Sequence, residues 1–385
     1  MTDREAYIIL NLLSGIGPAR ASSLAALCGS PAAIFEHTAE DLARIRGVSD
    51  SLAAKILAWQ DFVDPEEEFR IAERSGVDIV TPADERYPRQ LREIHDAPLC
   101  LYVRGSIPEE TEARSIAMVG TRNASRYGAS MARHLAESAA YSGWVTVSGL
   151  AVGIDTIVHR ATLDAGGKTV AVLGGGLARF HPQENIPLAR AIVENGGAVI
   201  TEFPMTFSPS RHSFPMRNRI ISGLSLGTLV IEAGLSSGSL ITAAHALEQG
   251  KRVFAVPGEA DASGSNGCNA LIRKGATLVE NFEHILEDFE FLPGFDPNSD
   301  NLALHDDSGE YGDAADPAAG LPPDESLSET DRKILDILRA EGPLSTEQIA
   351  LKTELPPPDV MSALIALEIL RRIRKDPDGT FRRMR

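Results

Sequence analysis

The sequence predicts an α/β protein built on a doubly wound, mostly parallel sheet, with a helical domain before the sheet and a winged-helix domain after it. Between residues 115 and 281, short runs of nearly continuous apolar and β-branched residues alternate with amphipathic helical patterns. Strands that are apolar on both faces are typical of parallel sheets covered by helices on both sides. Repeated alternation of strand and helix favours a doubly wound order. The predicted strands are RSIAMVG, WVTVSG, KTVAVLGGG, AVITE, GTLVIEA and RVFAVPG.

Length and one change in composition indicate several domains. At 385 residues the chain exceeds the size of one ordinary core. Between Asp288 and Thr330, acidic residues recur with Pro, Gly, Ser and Ala, and neither Lys nor Arg occurs. Such a segment buries too little apolar surface to offset its ordering entropy, so we expect a flexible acidic linker. The predicted divisions are a helical domain at 1–63, a connecting subdomain at 64–113, the α/β domain at 114–290, the linker at 291–327 and a winged-helix domain at 328–385.

The N-terminal helical region contains two similar segments. LSGIGPARASSLAAL and IRGVSDSLAAKIL each place a glycine-containing turn before a helix. Helix-hairpin-helix units of the SAM-like kind have this form, and their turn amides can contact phosphates. The second copy, Gly47-Val48-Ser49, lacks the second glycine of Gly15-Ile16-Gly17. A compact module that packs on a neighbouring domain or binds protein is therefore the competing interpretation.

The C-terminal region predicts a winged helix. SETDRKILDILRAEG, STEQIALKT and PPDVMSALIALEIL are short amphipathic helices, and RRIRKDPDGTFRRMR forms two strands around an Asp-Gly turn. The arginines of this hairpin suit contact with nucleic acid. The same fold also mediates protein contacts, and both roles remain open.

Composition limits the class of protein. A formal net charge of −17 argues against a generally basic surface, although it does not exclude a local basic groove. Cys28, Cys100 and Cys268 are widely spaced without a metal-ligand pattern, so we expect reduced thiols and no metal site. The N-terminus does not resemble a signal peptide, and no segment approaches the roughly 20 apolar residues of a membrane span. We therefore expect a soluble cytoplasmic protein.

The motifs that carry chemistry follow the predicted strands. FPMRNRIISGLS places two arginines around an asparagine at the start of a helical run, and EAGLSSGSLITA brings a Gly/Ser loop after a strand. VGTRNAS and SGLAVGID follow two other strands. Parallel strands deliver these loops to one edge of the sheet, where helix N-termini favour anions, so we expect one anion-binding rim. Arginines beside such loops suit phosphate. The candidate residues of the rim are Arg122, Ser148, Arg217, Arg219, Ser237, Gly238 and Ser239.

No catalytic or cofactor constellation emerges from the sequence. VLGGGL lacks the dinucleotide-binding pattern, and tight packing at a strand end explains its glycines equally well. No Walker A sequence and no nucleophile elbow occurs. His159 and His245 fall inside predicted helices, and Asp155 stands at a helix start, where capping is the simpler role. We therefore expect a protein that binds its ligand without an enzymatic step.

These motifs resemble the DprA/Smf family, the DNA-processing proteins of natural transformation. The resemblance runs from about Tyr87 to Asn281 through VGTRNAS, SGLAVGID, AVLGGGL, FPMRNRI, EAGLSSGSLITA and FAVPG with GSNGCNALIRKGA. It implies a Rossmann-like domain that binds and protects single-stranded DNA and forms a homodimer. It also implies loading of the recombinase RecA onto DNA otherwise covered by single-strand-binding protein. The DNA pocket that the family implies comprises Arg122, Arg211, Phe214, Arg217, Asn218 and Arg219.

Two positions differ from the common family pattern. Val152 stands where SGLARGID has an arginine, which removes one candidate phosphate contact. Arg211 stands where a lysine is common, and phosphate accepts either cation.

Phe214 offers a stacking face to an unstacked base, or else anchors the loop as a core aromatic.

Two other classes of protein compete with this interpretation. A nucleotide phosphoribohydrolase of the lysine-decarboxylase-like group shares the sheet layout, but its PGGxGTxxE loop needs a glutamate where this chain has Thr242. A transcription regulator would combine a DNA-reading winged helix with a ligand-sensing sheet domain. Promoter-specific binding of duplex DNA by the tail would favour that class.

Overall fold

The computed structural model describes residues 1–289 and much of 329–383. Within the second range, residues 354, 356–359, 361–362, 365–366, 368–372 and 376–379 lie outside the description. The predicted linker at 291–327 lies outside it as well. The chain divides into two compact units, Met1–Leu302 and Ala303–Arg385.

The first unit contains thirteen α-helices and nine strands in its described residues. Its helices are α1 (Asp3–Leu12), α2 (Pro18–Cys28), α3 (Ala39–Ala43), α4 (Asp50–Leu57), α5 (Pro65–Arg74), α6 (Arg89–Arg92), α7 (Arg126–Tyr141), α8 (Ile154–Asp164), α9 (Ile186–Glu194), α10 (Ser213–Gly223), α11 (Ser239–Glu248), α12 (Asn266–Arg273) and α13 (Glu283–Phe289). Its strands are β1 (Asp78–Val80), β2 (Leu101–Gly105), β3 (Ser115–Gly120), β4 (Val145–Ser148), β5 (Thr169–Val172), β6 (Ala198–Thr201), β7 (Gly227–Glu232), β8 (Arg252–Ala255) and β9 (Thr277–Leu278). None of these helices is long and apolar enough to cross a bilayer.

The strands form one sheet in the order β1-β2-β6-β5-β4-β3-β7-β8-β9. From β6 to β9 every neighbouring pair is parallel. The chain winds outward from β3 through β4, β5 and β6 on one side, and through β7 to β9 on the other. The predicted doubly wound sheet is confirmed, and its winding direction reverses between β3 and β7. Ligands of open α/β sheets bind at such a switch point.

Helices cover both faces of the parallel strands. In β3, Ile116 and Met118 join one apolar core with α7, α8 and α13, whereas Ala117 and Val119 join the other core with α10 and α11. Alternate residues of one strand are thus buried on opposite faces. This double burial explains the nearly continuous apolar runs of the sequence.

The region before the parallel strands belongs to the same sheet. β2 pairs antiparallel with β6, and β1 pairs antiparallel with β2, so residues 64–113 extend the sheet at one edge. The helical module of α1–α4 has its own apolar core. It also contacts the body, because Asn11 Nδ2 donates to the backbone oxygen of Glu202 at 3.1 Å and Arg4 Nη2 donates to Ile79 O at 2.9 Å.

The second unit has the predicted winged-helix form. Helix α14 (Glu329–Glu341) precedes β10 (Leu344–Ser345), and helix α15 (Thr346–Thr353) follows it. The antiparallel sheet has the order β10, β12 (Thr380–Arg383) and β11 (Ile373–Lys375). The chain segment between α15 and β11 contains further helical residues that are buried, namely Val360, Ala363, Leu364 and Leu367. The predicted Asp-Gly turn of the hairpin lies outside the described residues.

Candidate nucleic-acid interface

A cavity of about 1060 Å³ opens at the switch point of the sheet. The loop after β3 lines it at Thr121–Asn123, and the loop after β7 lines it at Gly234–Ser239. Helix α10 and the segment before it supply a third wall, and Ser263–Asn266 closes the end beside α12. We call this space the rim cavity. The four strand-end segments meet there because parallel strands end at the same edge.

The structure brings eight of the ten sequence-predicted residues together in the rim cavity. Three of its lining residues are arginines, and among the described lining residues Asp155 is the one carboxylate. The surface is therefore cationic although the chain is acidic overall. The eight residues are Arg122, Arg211, Phe214, Arg217, Asn218, Ser237, Gly238 and Ser239.

Phe214 combines an aromatic face with an adjacent cation. The Cζ atom of the exposed Arg122 lies 5.4 Å from the centroid of the Phe214 ring, a cation–π contact. The half-buried ring packs on Gly174, where an added Cβ would lie 2.8 Å from Phe214 Cδ1. Tight packing of the strand end against a helix thus accounts for Gly174, whereas Gly175 and Gly176 pack against the segment before α10. Arginine and phenylalanine planes are both surfaces on which an unstacked base can stack.

Four helices begin at the cavity. Helices α8, α10, α11 and α12 each place first-turn residues in its lining, and none of the four has a side-chain hydrogen bond at its N-cap. The N-terminus of a helix carries a partial positive charge. Four such ends around one cavity favour an anionic ligand.

The Gly/Ser loop is held in place by local contacts. Ser237 Oγ lies 2.8 Å from Ser239 Oγ, and Asn218 Nδ2 donates to Gly238 O at 3.2 Å. The last contact fixes the loop after β7 against α10. Asn218 therefore positions one wall of the rim cavity relative to the other.

Arg217 forms part of the cavity floor. Its side chain is buried, and Nη1 donates to Gly149 O at 2.6 Å and also to Val172 O. Asp155, also buried, accepts hydrogen bonds from the amides of Gly149 and Ala151. Burial lowers the pKa of Arg217 to about 10, with Asp155 opposing this change. Arg217 thus remains a cation that connects the end of β5 to the loop after β4 beneath the cavity.

Arg219 lies outside the rim cavity, so the prediction that it shares one rim with Arg217 is wrong. Its guanidinium makes a bidentate ion pair with Glu202 at 2.7 and 2.8 Å, and Nε lies 2.9 Å from Asp96. The side chains of Arg219 and Glu202 are 5% and 6% exposed. The cause is helix geometry, because residues two positions apart in α10 point to different sides.

Ser148 is not on the cavity surface either. It is the last residue of β4, fully buried, and its hydroxyl donates to Met118 O at 2.7 Å. The hydroxyl joins β4 to β3 inside the sheet. The expectation that Ser148 lies on the rim is wrong for that reason.

Sequence reasoning missed Glu232, which organises the loop after β3. Its carboxylate accepts a hydrogen bond from the Ser125 amide at 2.9 Å, and its backbone oxygen accepts one from the Thr121 amide at 2.7 Å. Glu232 is 7% exposed. A carboxylate at the end of the otherwise apolar run GTLVIEA was the available signal, since buried acids are retained with specific partners.

Buried titratable groups near the cavity have structural partners. His159 Nδ1 lies 2.7 Å from Thr169 Oγ1, and Asp155 binds the preceding loop. Among the described residues, no group of three or more His, Cys, Asp or Glu side chains could hold a metal ion. The arrangement can bind and orient an anionic ligand.

His159 makes the body sensitive to acid. Burial, together with the nearby Arg217, lowers its pKa to about 3. The unfolded chain takes up this proton near the ordinary pKa of about 6.5 while the folded chain does not, so stability is lost as pH falls below that value. Between pH 7 and pH 5 we expect this residue alone to lower the free energy of unfolding by about 2 kcal/mol.

Urea titrations at the two pH values measure this effect. The variant His159→Gln should lack that part of the pH dependence, whereas His134→Gln, at an exposed position in α7, should keep it. Equal pH dependence of the wild type and His159→Gln would contradict the assignment.

The fold and the cavity together define a doubly wound α/β protein with a cationic cavity at the switch point of its sheet, and with helix-hairpin-helix and winged-helix modules before and after it in the chain. A model of the DNA recombination-mediator protein A family matches residues 78–290. The chain belongs to this family, the DprA/Smf DNA-processing proteins. The DprA winged helix domain matches residues 316–379, and a SAM-like helix-hairpin-helix tandem matches residues 8–58.

Relatives and solved structures agree with this membership. Protein Smf of Escherichia coli K12 is 39% identical over 302 residues, 78% of this chain and 76% of that protein. DprA of Bacillus subtilis is 41% identical over 213 residues, 55% of this chain and 71% of that protein. The DprA structure from Streptococcus pneumoniae aligns with a TM-score of 0.64 and 32% identity, over 76% of this chain and 99% of that one. The DNA processing protein A structure from Helicobacter pylori, described for its single-stranded DNA binding mode, aligns with a TM-score of 0.50 and 28% identity, over 56% of this chain and 97% of that one.

Proposed function

We propose that this chain binds single-stranded DNA in the rim cavity. The observation that carries the proposal is the exposed Arg122 guanidinium over the Phe214 ring, inside a cationic cavity at the switch point. Single strands are held by cationic grooves that follow the phosphates and by planar side chains that stack with bases. The single-stranded DNA binding described for the Helicobacter pylori relative supports the same ligand here.

The parts of the cavity have separate roles in this proposal. Arg122 and Arg211 contact phosphates, and the helix N-termini add partial positive charge. Phe214 stacks with one unstacked base. Arg217 contributes its charge from the floor while it holds the loops. Duplex DNA keeps its bases stacked and gains little from the aromatic face.

We further propose that the bound strand is protected and passed to RecA, in competition with single-strand-binding protein, during natural transformation. Membership of the DNA recombination-mediator protein A family supports this step. We propose that the protein acts in the cytoplasm as a homodimer without an enzymatic reaction. A RecA filament-assembly assay on DNA coated with single-strand-binding protein tests it, since the added chain should shorten the lag before filament growth.

The proposed function predicts a preference for single-stranded over duplex DNA. Full-length protein should bind single-stranded DNA more tightly than duplex DNA of the same sequence, with little dependence on sequence, because stacking and phosphate contacts are common to all bases. A competition binding experiment with labelled single strand and unlabelled duplex measures the preference. Equal or tighter competition by the duplex would refute the proposed ligand, and the same preference should persist in a chain that ends before residue 291.

A further inference from the structure

A second cleft adjoins the rim cavity across helix α10. Its volume is about 470 Å³, and it lies between the start of α2, at Gly17–Arg20, and the α10 residues Pro215 and Met216. Pro215 lines both this cleft and the rim cavity. We call the second space the hairpin cleft. The two spaces thus share Pro215 as part of their walls.

Among the charged residues that line the hairpin cleft, Arg20 is the one cation without an acidic partner in the described part of the chain. Arg219 and Asp96 also line the cleft, but they pair with each other at 2.9 Å. His245 lies 3.2 Å from Glu248. Arg20 takes part in no ion pair of the described residues; its Nη1 donates to Gly15 O, and its Nε and Nη2 lie beside Gly47 without an acceptor among those residues. Its remaining donors suit a phosphate.

The two hairpin repeats differ at this point. The first repeat lines the cleft, and α2 begins after Gly17 without a side-chain cap. The second repeat lies outside the cleft lining, and Ser49 caps α4 by accepting a hydrogen bond from the Leu52 amide at 3.2 Å. The glycine that distinguishes Gly15-Ile16-Gly17 therefore stands at the cleft.

Met216 adds an apolar surface on α10, where the hairpin cleft adjoins the rim cavity. Its side chain is 46% exposed on the ridge beside Pro215. An exposed flexible thioether beside a cation fits a strand that presents sugars and bases on one side and phosphates on the other. The cleft thus offers both contacts that a single strand needs.

We propose that the hairpin cleft holds the backbone of the same DNA strand after it leaves the rim cavity, with Arg20 on a phosphate and Met216 against a sugar or base. This inference rests on the proposed function and extends the binding path from one cavity across α10 to the helical module. The helical module then increases the length of DNA strand that the protein contacts and its affinity for that strand, in addition to packing on the body.

The test compares oligothymidylates of about 6 nucleotides, near the lower end of the usual range of single-strand site sizes, and of about 20 nucleotides, beyond its upper end. Arg20→Ala removes the cation. Ala19→Glu places an anion at an exposed position in the first turn of α2, where acidic residues stabilise a helix. Arg46→Ala is the matched control, an exposed arginine beside Gly47 of the second repeat.

Arg20→Ala and Ala19→Glu should each weaken binding of the long oligonucleotide about threefold or more and lower its salt slope by about 0.7, because one phosphate contact is lost. Binding of the short oligonucleotide should not change, and Arg46→Ala should affect neither length. Unchanged binding of both lengths in Arg20→Ala and Ala19→Glu would overturn the extended path and leave the proposed function intact. Equal losses at both lengths would also overturn it, since they would place the effect at the rim cavity. Failure of the wild type to bind either length would instead refute the proposed function.

Discussion

Arg219→Ala is expected to lower the free energy of unfolding by about 3–5 kcal/mol, because removal of one partner leaves a buried charge uncompensated. Glu202 would remain 6% exposed without its bidentate partner, and Asp96 would lose its contact with Nε. Chemical denaturation of the full chain, followed by fluorescence and circular dichroism, measures the loss. Under conditions where the variant is folded, the salt dependence of DNA binding should equal that of the wild type.

Arg86→Ala is the matched control for this prediction. Arg86 pairs with Asp78 at 3.0 Å, but the two side chains are 70% and 61% exposed. Exposed ion pairs contribute about 0–1 kcal/mol, so this variant should unfold nearly as the wild type does. A stable Arg219→Ala protein with a reduced salt slope would contradict the structural role, and would return Arg219 to the phosphate-binding set that the sequence suggested.

The sequence predicted the parallel strands well because the signal is local. Runs such as RSIAMVG and GTLVIEA are apolar on both faces, and each became a strand with core on both sides. Strand β9 was not predicted, and neither were β1 and β2 at the opposite end of the sheet. Strands β1 and β2 span three and five residues, and β2 pairs with a strand about a hundred residues later in the chain. Periodicity carries no information about such distant pairing.

The sequence predicted most residues of the candidate site, but it did not predict the directions in which the side chains of α10 point. Loops at one sheet edge gave Arg122, Arg217 and Ser237 correctly as neighbours, since topology alone brings them together, whereas Phe214 came from the family resemblance. Arg217 and Arg219 separate because residues two positions apart on a helix point to different sides, whereas their closeness in the sequence suggested one shared surface. The partner Glu202 directly follows β6, so the ion pair becomes visible only after the sheet is assembled.

Arg122→Ala is expected to weaken binding of single-stranded DNA for all sequences alike and to reduce the slope of log K against log salt by about 0.7, the value for one phosphate contact. Arg122 is exposed and its removal leaves the buried contacts of Arg217 in place, so the fold should persist. Salt titrations of binding by fluorescence anisotropy give both affinity and slope. Arg126→Ala is the control, an exposed arginine four residues later that does not line the rim cavity.

Phe214→Leu should have a different signature at the same site. Leucine keeps an apolar contact with Gly174, but the aromatic face is lost, and stacking contributes about 1–3 kcal/mol per base. Affinity should therefore fall about 5- to 150-fold while the salt slope stays at the wild-type value, because stacking releases no counterions. If folded Arg122→Ala and Phe214→Leu both retain wild-type affinity and slope, the strand does not bind in the rim cavity. If Phe214→Leu flattens the slope, the ring acts by positioning Arg122 over the phosphate, since the two side chains lie in direct contact.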